Sequence, residues 1–374
     1  MKPHNTPTSV SKRAATRRVF STIASLFLGC IVSAPALHAV AFSGAQGYGA
    51  NAAGGTTVTH VTNLNNTGAG SLRAALSASG RRVVFDVAGT INITSALVIP
   101  NYTTIDGTTA PSPGITVHGY NTSVSGRHDI VVRNLRFRED SSGPSGKCSF
   151  QGADACYNII LDHCSVEWGR WDTISFTGNS HDITIQYCIL GESIDPQYFG
   201  SLMDACDRVS IHHNLFIDNQ SRNPKLKSNS QYINNVIYNW GSGGLIGGHS
   251  AGVWKSDVIN NYFIAGPGTL NLNNWVSDCT ATDTWYQSGN YYDLNLNGTR
   301  NGSLIPASAF TAKAITLVSA KQHNPSPAVT VSSVTYTADQ ALSGNLGCQP
   351  NDSVDTRLVG YLRSYGTQGQ IGKP

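Results

Sequence analysis

The chain has 374 residues, with 25 lysines and arginines against 22 aspartates and glutamates, for a formal charge of +3. Five basic residues and no acidic ones lie in the first 41 positions, so the rest carries 20 basic against 22 acidic residues, or −2. This balance gives no support to a nucleic-acid partner. The 38 glycines and modest charge content are typical of one elongated β domain.

The first 41 residues have the pattern of an export signal. Basic residues precede an apolar stretch at positions 19–32, and small residues follow up to Ala41. We expect cleavage after Ala39 or Ala41 rather than a transmembrane span. Arg17 and Arg18 fit a twin-arginine signal, and an ordinary secretory signal fits equally well. The sequence therefore predicts a secreted, extracellular protein with no membrane attachment once the signal is removed. Residues 42–374 are expected to form the folded domain.

The next segment, 42–120, contains strand-like runs and one candidate helix. The runs are TTVTHV, RRVVFDV and ITVHG, and GSLRAALSASG at positions 70–80 has the composition of a short helix. We expect this segment to cap the N-terminal end of the domain.

A short phrase then recurs about once every two dozen residues. It consists of a polar pair, three or four β-forming apolar residues, and then Asn, His or Cys, as in HDIVVRNLRF, YNIILDHCSV, HDITIQYCIL, DRVSIHHNLF, SQYINNVIYN and KSDVINNYFI. The equivalent positions are spaced 29, 24, 26, 21 and 26 residues apart and are Leu135, Cys164, Cys188, Asn214, Asn235 and Asn261. This period is typical of solenoids, in which each repeat buries its apolar face against its neighbours.

The repeats predict an all-β fold, a single-stranded right-handed parallel β-helix. They are rich in Val, Ile, Thr and Tyr and lack the helical 3.6-residue stripe. Stacked coils would place Asn214, Asn235 and Asn261 about 4.8 Å apart in an internal amide ladder. Regular coils are expected over roughly 128–265. After about 270 the period fades, and the segment from Val354 is expected to pack along the stack as a loop or helix.

Seven cysteines follow the predicted signal. Cys164 and Cys188 occupy equivalent positions of successive coils and are either stacked thiols or a disulfide. In an exported protein some cysteines should be oxidised, and an odd number leaves at least one free thiol. We expect pairs between Cys148 and Cys156 and between Cys279 and Cys348, although spacing alone does not fix the pairing.

Eight phrases in chain order resemble the secreted pectate lyases and pectin lyases, which share a parallel β-helix. They are FSGAQGYGANAAGG, HVTNLNNTGAGSLRAAL, VVFDVAGTI, IDGTTAPSPGITVHG, VVRNLRFR, LDHCSVEWG, IHHNLFIDNQSRNPK and NNVIYNWG. The resemblance implies β-elimination of polygalacturonate, in which a base removes the C5 proton of a uronide and the bond at C4 breaks without water. It also implies an acidic polysaccharide, pectin or polygalacturonate, as the partner.

The resemblance implies that Arg222 is the base, because the family's base is an arginine followed two residues later by proline, here Pro224. Pro224, Lys225 and Lys227 are then expected at the substrate. Neighbouring cations would favour the neutral guanidine by like-charge repulsion, so activity should be highest at alkaline pH. Lys227 stands where many relatives have a second arginine, which weakens a bidentate grip on carboxylate. From the residues alone, a surface charge after a strand is the favoured interpretation of Arg222, and the surrounding family phrases reverse this preference.

Asp162 and His163 match the Asp-His element of the family. Adjacent strand residues alternate in direction, so one is expected to face the core and the other to face outward. We interpret both as structural or supporting residues rather than as catalytic groups.

The acidic calcium ligands of related enzymes have no counterparts at the expected positions, which hold Trp171, Ser175 and residues 146–149. An alignment shift would bring Asp154 and Asp172 to ligand positions, so Ca²⁺ stays open as a cofactor. Arg170 stands where the calcium-independent pectin lyases place an arginine, which suggests that a guanidinium offsets the substrate charge. Trp168 and Trp171 flank it and suit sugar stacking.

Two other functions remain alternatives at this point. A polygalacturonase-type hydrolase needs paired carboxylates, and the chain has no Asp-Asp dipeptide. A non-catalytic β-helical carbohydrate-binding protein would explain the missing calcium acids. A capped solenoid with a polar exterior is expected to be a monomer.

Overall fold

The computed structural model describes residues 39–248 and 252–372, so the predicted export signal lies outside the described residues except for its last three. The strands are β1 (Thr57–Val61), β2 (Arg81–Phe85), β3 (Gly89–Asn92), β4 (Leu97–Val98), β5 (Thr103–Asp106), β6 (Ile115–Gly119), β7 (Thr122–Ser123), β8 (His128–Arg133), β9 (Arg136–Glu139), β10 (Phe150–Gly152), β11 (Tyr157–Asp162), β12 (Ser165–Glu167), β13 (Asp172–Thr177), β14 (His181–Gln186), β15 (Ile189–Gly191), β16 (Phe199–His212), β17 (Leu215–Ile217), β18 (Lys225–Ile233), β19 (Val236–Tyr238), β20 (Leu245–Ile246), β21 (Trp254–Ile259), β22 (Tyr262–Ile264), β23 (Val276–Ser277), β24 (Asp283–Ser288), β25 (Tyr291–Asp293), β26 (Ser303–Leu304) and β27 (Thr316–Leu317).

The helices are short and lie outside the strands. The α-helices are α1 (Leu72–Ala75), α2 (Ala307–Thr311), α3 (Val334–Ser343) and α4 (Ser353–Arg363), and the 3₁₀ turns are Tyr48–Asn51, Gly107–Thr109 and Leu272–Trp275. Among the described residues, no helix is long and apolar enough to span a lipid bilayer.

The strands stack in three parallel ladders that together form a β-helix. The first ladder contains β4, β7, β10, β13, the start of β16, the start of β18, β20 and β23. The second runs through β1, β2, β5, β8, β11, β14, the ends of β16 and β18, β21, β24 and β27. The third contains β3, β6, β9, β12, β15, β17, β19, β22 and β25. The predicted solenoid is confirmed.

The predicted asparagine ladder runs through the interior. Asn214 Nδ2 donates to Asn235 Oδ1 at 3.0 Å, and Asn235 Nδ2 donates to Asn261 Oδ1 at 3.1 Å. Asn261 continues the chain to Asn290 at 3.0 Å, one coil beyond the sequence pattern. Each amide also donates to a main-chain carbonyl, so these buried polar groups are satisfied.

The two expected disulfides are absent, because all seven described cysteines are free. Cys156 Sγ donates to Ser180 Oγ at 3.2 Å, and Cys348 Sγ donates to the Asn134 carbonyl at 3.2 Å. Cys279 instead lies against Gly247, so its expected partner packs elsewhere on the solenoid. Cys164 and Cys188 are stacked thiols, with the Cys164 amide 3.4 Å from Cys188 Sγ.

Helices cover the end and one side of the stack. In α1, Leu72 and Ala75 share the main core with Val61 of β1, as expected for an N-terminal cap. The segment from Val354 forms most of α4, and its Leu358 and Leu362 pack on the outer face of the third ladder. The side chain of Asp352 accepts two main-chain N–H groups and caps this helix.

Candidate active site

Arg222 projects from a turn whose main chain is fixed on both sides. The turn joins β17 to β18, and Arg222 has a left-handed backbone conformation with φ of 61°. The Asn223 amide donates to the Gly244 carbonyl at 2.9 Å, and Tyr232 Oη donates to the Asn223 carbonyl at 2.8 Å. These bonds tie the turn to the next coil and to the core, so the root of the Arg222 side chain is held in place.

The Arg222 guanidinium lies between a carboxylate and an aromatic ring. Its Nη1 donates to Asp172 Oδ1 at 3.0 Å and to Oδ2 at 3.4 Å. Its central carbon lies 3.9 Å from the centre of the Phe199 ring. Asp172 is fully buried, whereas 18% of the Arg222 side chain is exposed. The guanidinium is therefore held in place by Asp172 and Phe199, and the rest of it is open to solvent.

The Asp172 carboxyl is in an unfavourable place for a charge. Burial raises its pKa to about 6, and the positive charge and hydrogen bond of Arg222 only partly oppose this rise. The ion pair is therefore complete at neutral pH and is lost as Asp172 takes up a proton in acid.

Lys225 and Lys227 continue the positive face along β18. Their register partners on β16 are Leu202 and Asp204, and Lys227 Nζ lies 2.8 Å from Asp204 Oδ1. Burial lowers the pKa of Lys225, and the charges of Arg222 and Lys227 lower it further. Lys225 and Lys227 are alternate residues of β18, so their positions are about 7 Å apart, and Arg222 lies in the turn that leads into this strand. We call the patch formed by these three cations the cationic face (Arg222, Lys225, Lys227).

The two predicted tryptophans lie in different surroundings. Trp171 is 36% exposed and precedes Asp172, and its carbonyl accepts the Phe199 amide at 3.2 Å. It therefore borders the cationic face. Trp168 Nε1 donates to Glu192 Oε2 at 3.3 Å, and its ring packs against Arg138 on the third ladder. Trp168 is consequently occupied by packing away from that face.

Arg170 is engaged by the main chain of two loops. Its Nε donates to the Asp195 carbonyl at 3.2 Å, and its Nη1 donates to the carbonyls of Ser141 and Gly143 at 3.3 and 2.6 Å. Its own amide donates to Glu139 Oε2 at 3.1 Å. The structure thus gives Arg170 a loop-joining role, and its contact with substrate stays a prediction.

Pro224, Asp162 and His163 are also placed. Pro224 is buried, and its carbonyl accepts the Ile246 amide at 2.9 Å. Asp162 accepts from Gln186 Nε2 at 2.7 Å and from Arg133 Nε at 3.0 Å, and it contacts His163 Nδ1 at 3.0 Å. Asp162 is the last residue of β11 and is buried among these polar partners rather than in the apolar core. His163 follows the strand with φ of 50°, and about a third of its side chain is exposed.

The two acids considered as calcium ligands do not converge. Asp172 begins β13 and is paired with Arg222. Asp154 follows the end of the neighbouring strand β10 and lies beside Gly178, which follows the end of β13. The two acids therefore lie at opposite ends of the strands. Among the described residues, no three His, Cys, Asp or Glu side chains are grouped as metal ligands. This donor set does not fit a protein-held Ca²⁺ site, which usually needs several oxygens including carboxylates.

Sequence reasoning missed Phe199 and the partnership of Asp172 with Arg222. Phe199 pairs in register with Asp172, and Asp172 and Arg222 lie 50 residues apart, two coils along the chain. The coil period carried this information, because residues one or two periods apart lie on the same face of a solenoid.

Curated relatives match the chain over most of its length. It is 41% identical to the probable pectate lyase C of Aspergillus fumigatus over 341 residues, which cover 89% of this chain and 79% of that protein. It is 42% identical to the probable pectate lyase C of Aspergillus flavus over the same shares. No family model matches the chain.

Solved structures share the fold at low sequence identity. A thermostable pectate lyase superimposes with a TM-score of 0.61 at 14% identity, covering 84% of this chain and 99% of that one. A pectate lyase bound to a hexasaccharide gives 0.59 at 16% identity, with coverage of 84% and 99%. The major allergen of cedar pollen gives 0.56 at 16% identity, with coverage of 81% and 92%.

Proposed function

The chain belongs to the pectate lyase family and is a polysaccharide lyase that cleaves pectate; from this premise we propose that Arg222 is the base of the reaction. The observation that carries the proposal is the oriented, open guanidinium at the centre of a positive patch on the first ladder. Family membership sets aside the hydrolase and the non-catalytic binding protein.

In the proposed reaction, the neutral guanidine of Arg222 takes the C5 proton of a uronide. The electrons of the C5–H bond form a C4=C5 double bond, and the C4–O4 bond breaks. The leaving oxygen takes a proton from water, and the hydroxide formed takes up the proton held by Arg222, so that water and the neutral guanidine are both restored. One fragment then has a new hydroxyl end, and the other ends in an unsaturated uronide. The carbanionic charge that develops beside the carboxylate must be neutralised, and the cationic face supplies that charge.

Asp172 sets the orientation of the Arg222 side chain. Its carboxylate accepts from Nη1 of the guanidinium at 3.0 Å. No hydrogen bond joins Nη2 to a described residue, so this nitrogen is the one we assign to the proton transfer. Because a guanidinium is a weak acid, an arginine base predicts low activity at neutral pH and rising activity in alkali.

The lysines provide the charge that a metal provides in other enzymes of this chemistry. We propose that Lys225 and Lys227 hold substrate carboxylates, because they project from β18 on the same face as Arg222. Since Asp154 and Asp172 do not converge, the reaction is proposed to proceed without a protein-held Ca²⁺. Each ion pair formed at this half-exposed face is worth about 1 kcal/mol or less, so binding requires several at once.

We also propose that the enzyme acts outside the cell as a monomer on an acidic polysaccharide and has no nucleic-acid partner. The basic, apolar N-terminal segment supports export, and the slightly acidic remainder gives no support to a nucleic-acid partner.

The direct test measures the ultraviolet absorbance of unsaturated products from polygalacturonate, with calcium and with chelator. Arg222→Ala should lower kcat by at least about 10³-fold. Arg127→Ala is the matched control, because Arg127 is exposed and lies outside the cationic face. Full activity of Arg222→Ala would overturn the assignment of the base. Loss of wild-type activity in chelator would overturn the metal-independent mechanism.

A further inference from the structure

Two buried asparagines lie on either side of Arg222 in the chain. Asn219 precedes it by three residues and Asn223 follows it directly, and they are 0% and 1% exposed. Asn219 Nδ2 donates to Asn223 Oδ1 at 2.9 Å and to the Leu190 carbonyl at 3.0 Å. Neither asparagine belongs to the interior ladder that begins at Asn214, so the regular coil repeat does not account for them.

Asn219 also contacts the segment that supports the guanidinium. Its Oδ1 accepts the Ser193 amide at 3.3 Å and lies 3.0 Å from the Ser193 hydroxyl. That hydroxyl donates to the carbonyl of Phe199, whose ring stacks on the Arg222 guanidinium. One buried amide therefore connects two things: through Asn223 the turn from which Arg222 projects, and through Ser193 the residue on which its guanidinium rests.

The start of β16 and the Arg222 turn are packed against each other at Gly200. The Gly200 amide donates to the Ser221 carbonyl at 2.8 Å. A Cβ atom added at Gly200 would lie 2.5 Å from the Arg222 carbonyl oxygen and 3.1 Å from Asn219 Nδ2, so glycine is needed for this close approach. A displacement of the Asn219 amide would therefore disturb the turn and the Phe199 segment together.

The Asn219 amide uses all of its hydrogen-bonding groups in this network. Both Nδ2 hydrogens are donated, to Leu190 and Asn223, and Oδ1 accepts from Ser193. A fully satisfied buried polar network holds its members in one arrangement. Proton abstraction from carbon requires that arrangement, because a misplacement of about 1 Å can lower a rate about 10²-fold.

We propose that Asn219 is a positioning residue of the lyase reaction, which fixes the Arg222 guanidinium without touching the substrate or taking part in proton transfer. The inference rests on the proposed function of Arg222 and extends it to the buried support of that base. Lys225 and Lys227 are held separately by the register pairing of β18 with β16. Loss of Asn219 should therefore impair the chemical step and leave substrate binding largely intact.

Asn219→Ala tests the proposal, with Asn290→Ala as the matched control. Asn290 is also 0% exposed; its Oδ1 accepts from Asn261 Nδ2 at 3.0 Å, and its Nδ2 donates to the Val258 carbonyl at 2.8 Å. It lies three coils beyond Asn214 in the interior ladder, away from Arg222. For each protein, kcat and KM are measured on polygalacturonate at a temperature at which it is folded, together with the urea midpoint of unfolding.

Both variants should lower the urea midpoint, because each leaves buried polar groups without partners. Asn219→Ala should also lower kcat about 10- to 100-fold with KM within about twofold of the wild type. Its pH–rate profile should keep the wild-type shape, since the amide does not titrate. Asn290→Ala should keep both kinetic constants. Equal values of kcat in the two variants, or a rise in KM at constant kcat for Asn219→Ala, would overturn the proposal.

Ser193→Ala provides a milder test if Asn219→Ala does not fold. It removes only the hydroxyl that joins Asn219 to Phe199, and it should lower kcat about three- to tenfold. Ser180→Ala is its control, because Ser180 is also fully buried and its hydroxyl donates to the Thr177 carbonyl at 2.6 Å, beyond the other end of β13. An unchanged kcat in Ser193→Ala would overturn the proposal.

Arg222→Ala separates this proposal from the preceding one. If that variant is inactive and Asn219→Ala behaves as its control, the base assignment stands and the positioning role falls. If Arg222→Ala retains full activity, the base assignment falls, and the role of Asn219, which rests on it, falls with it.

Discussion

Arginine and carboxylate side chains meet at two places on this solenoid, and the surroundings give them different uses. On the third ladder, Arg136 and Arg138 are 2% and 5% exposed. Arg138 Nε lies 2.7 Å from Glu167 Oε2, and Arg136 Nε lies 3.2 Å from Asp355 Oδ2. With Asp352 included, the two arginines face three acids under helix α4, and we call this group the buried ion cluster.

The cationic face differs in exposure. Arg222 is paired with Asp172 and Lys227 with Asp204, and the charges of Asp278 and Asp204 act on Lys225. Arg222 keeps 18% of its side chain exposed. The buried ion cluster thus attaches α4 to the coils, whereas the cationic face keeps its arginine accessible to an acidic ligand. An arginine paired with a carboxylate is therefore not informative by itself; its exposure distinguishes the two sites.

The largest expected effect on stability is at the buried ion cluster. Arg138→Met leaves the buried carboxyl group of Glu167 without a countercharge and leaves Asp355 with Arg136 alone, so it should cost about 3–5 kcal/mol in the free energy of unfolding. Urea denaturation measures this loss, and Arg127→Met, at an exposed position, serves as its control. A loss below about 1 kcal/mol would show that the cluster does not hold α4 in place.

The pH dependence of stability sharpens the contrast at Asp172. Because the folded-state pKa is raised from 3.8 to about 6, the folded protein binds this proton more tightly than the unfolded chain does. The contribution of Asp172 is therefore fully present below about pH 4 and is lost as the pH rises through about 6, by roughly 3 kcal/mol.

Urea denaturation of the wild type and Asp172→Asn at several pH values between 4 and 7 checks this expectation. The wild type should lose stability relative to the variant as the pH rises across this window. A constant difference between the two proteins would mean that Arg222 fully compensates the buried charge.

The smallest effect is expected at the edge of the cationic face. Lys227→Gln removes one partly exposed charge that is shared with Asp204, so KM for polygalacturonate should rise about three- to fivefold with little change in kcat. Steady-state kinetics at low and high salt test this, and Lys255→Gln is the control because Lys255 is exposed on the second ladder. A fall in kcat with constant KM would place Lys227 in the chemical step instead.

The periodic part of the molecule was predictable from the sequence. The spacing of Asn214, Asn235 and Asn261 was enough to predict the amide ladder, because each coil repeats one environment. The coil period placed Asp172 and Arg222 on the same face, but their exact pairing depends on two coils of unequal length, and the bonds of Arg170 depend on loop carbonyls that no side-chain pattern encodes. The cysteine pairs were wrong for a similar reason, since Cys279 and Cys348 are carried to different parts of the solenoid by irregular segments.

The pH–rate profile of kcat for the wild type and Arg222→Lys tests the central claim most directly. If Arg222 is the base, the wild-type rate rises into alkaline pH, and the variant is slower but reaches its plateau at lower pH, because lysine normally loses its proton near pH 10.4, below arginine. A variant profile that coincides with that of the wild type would contradict the assignment and move the base elsewhere.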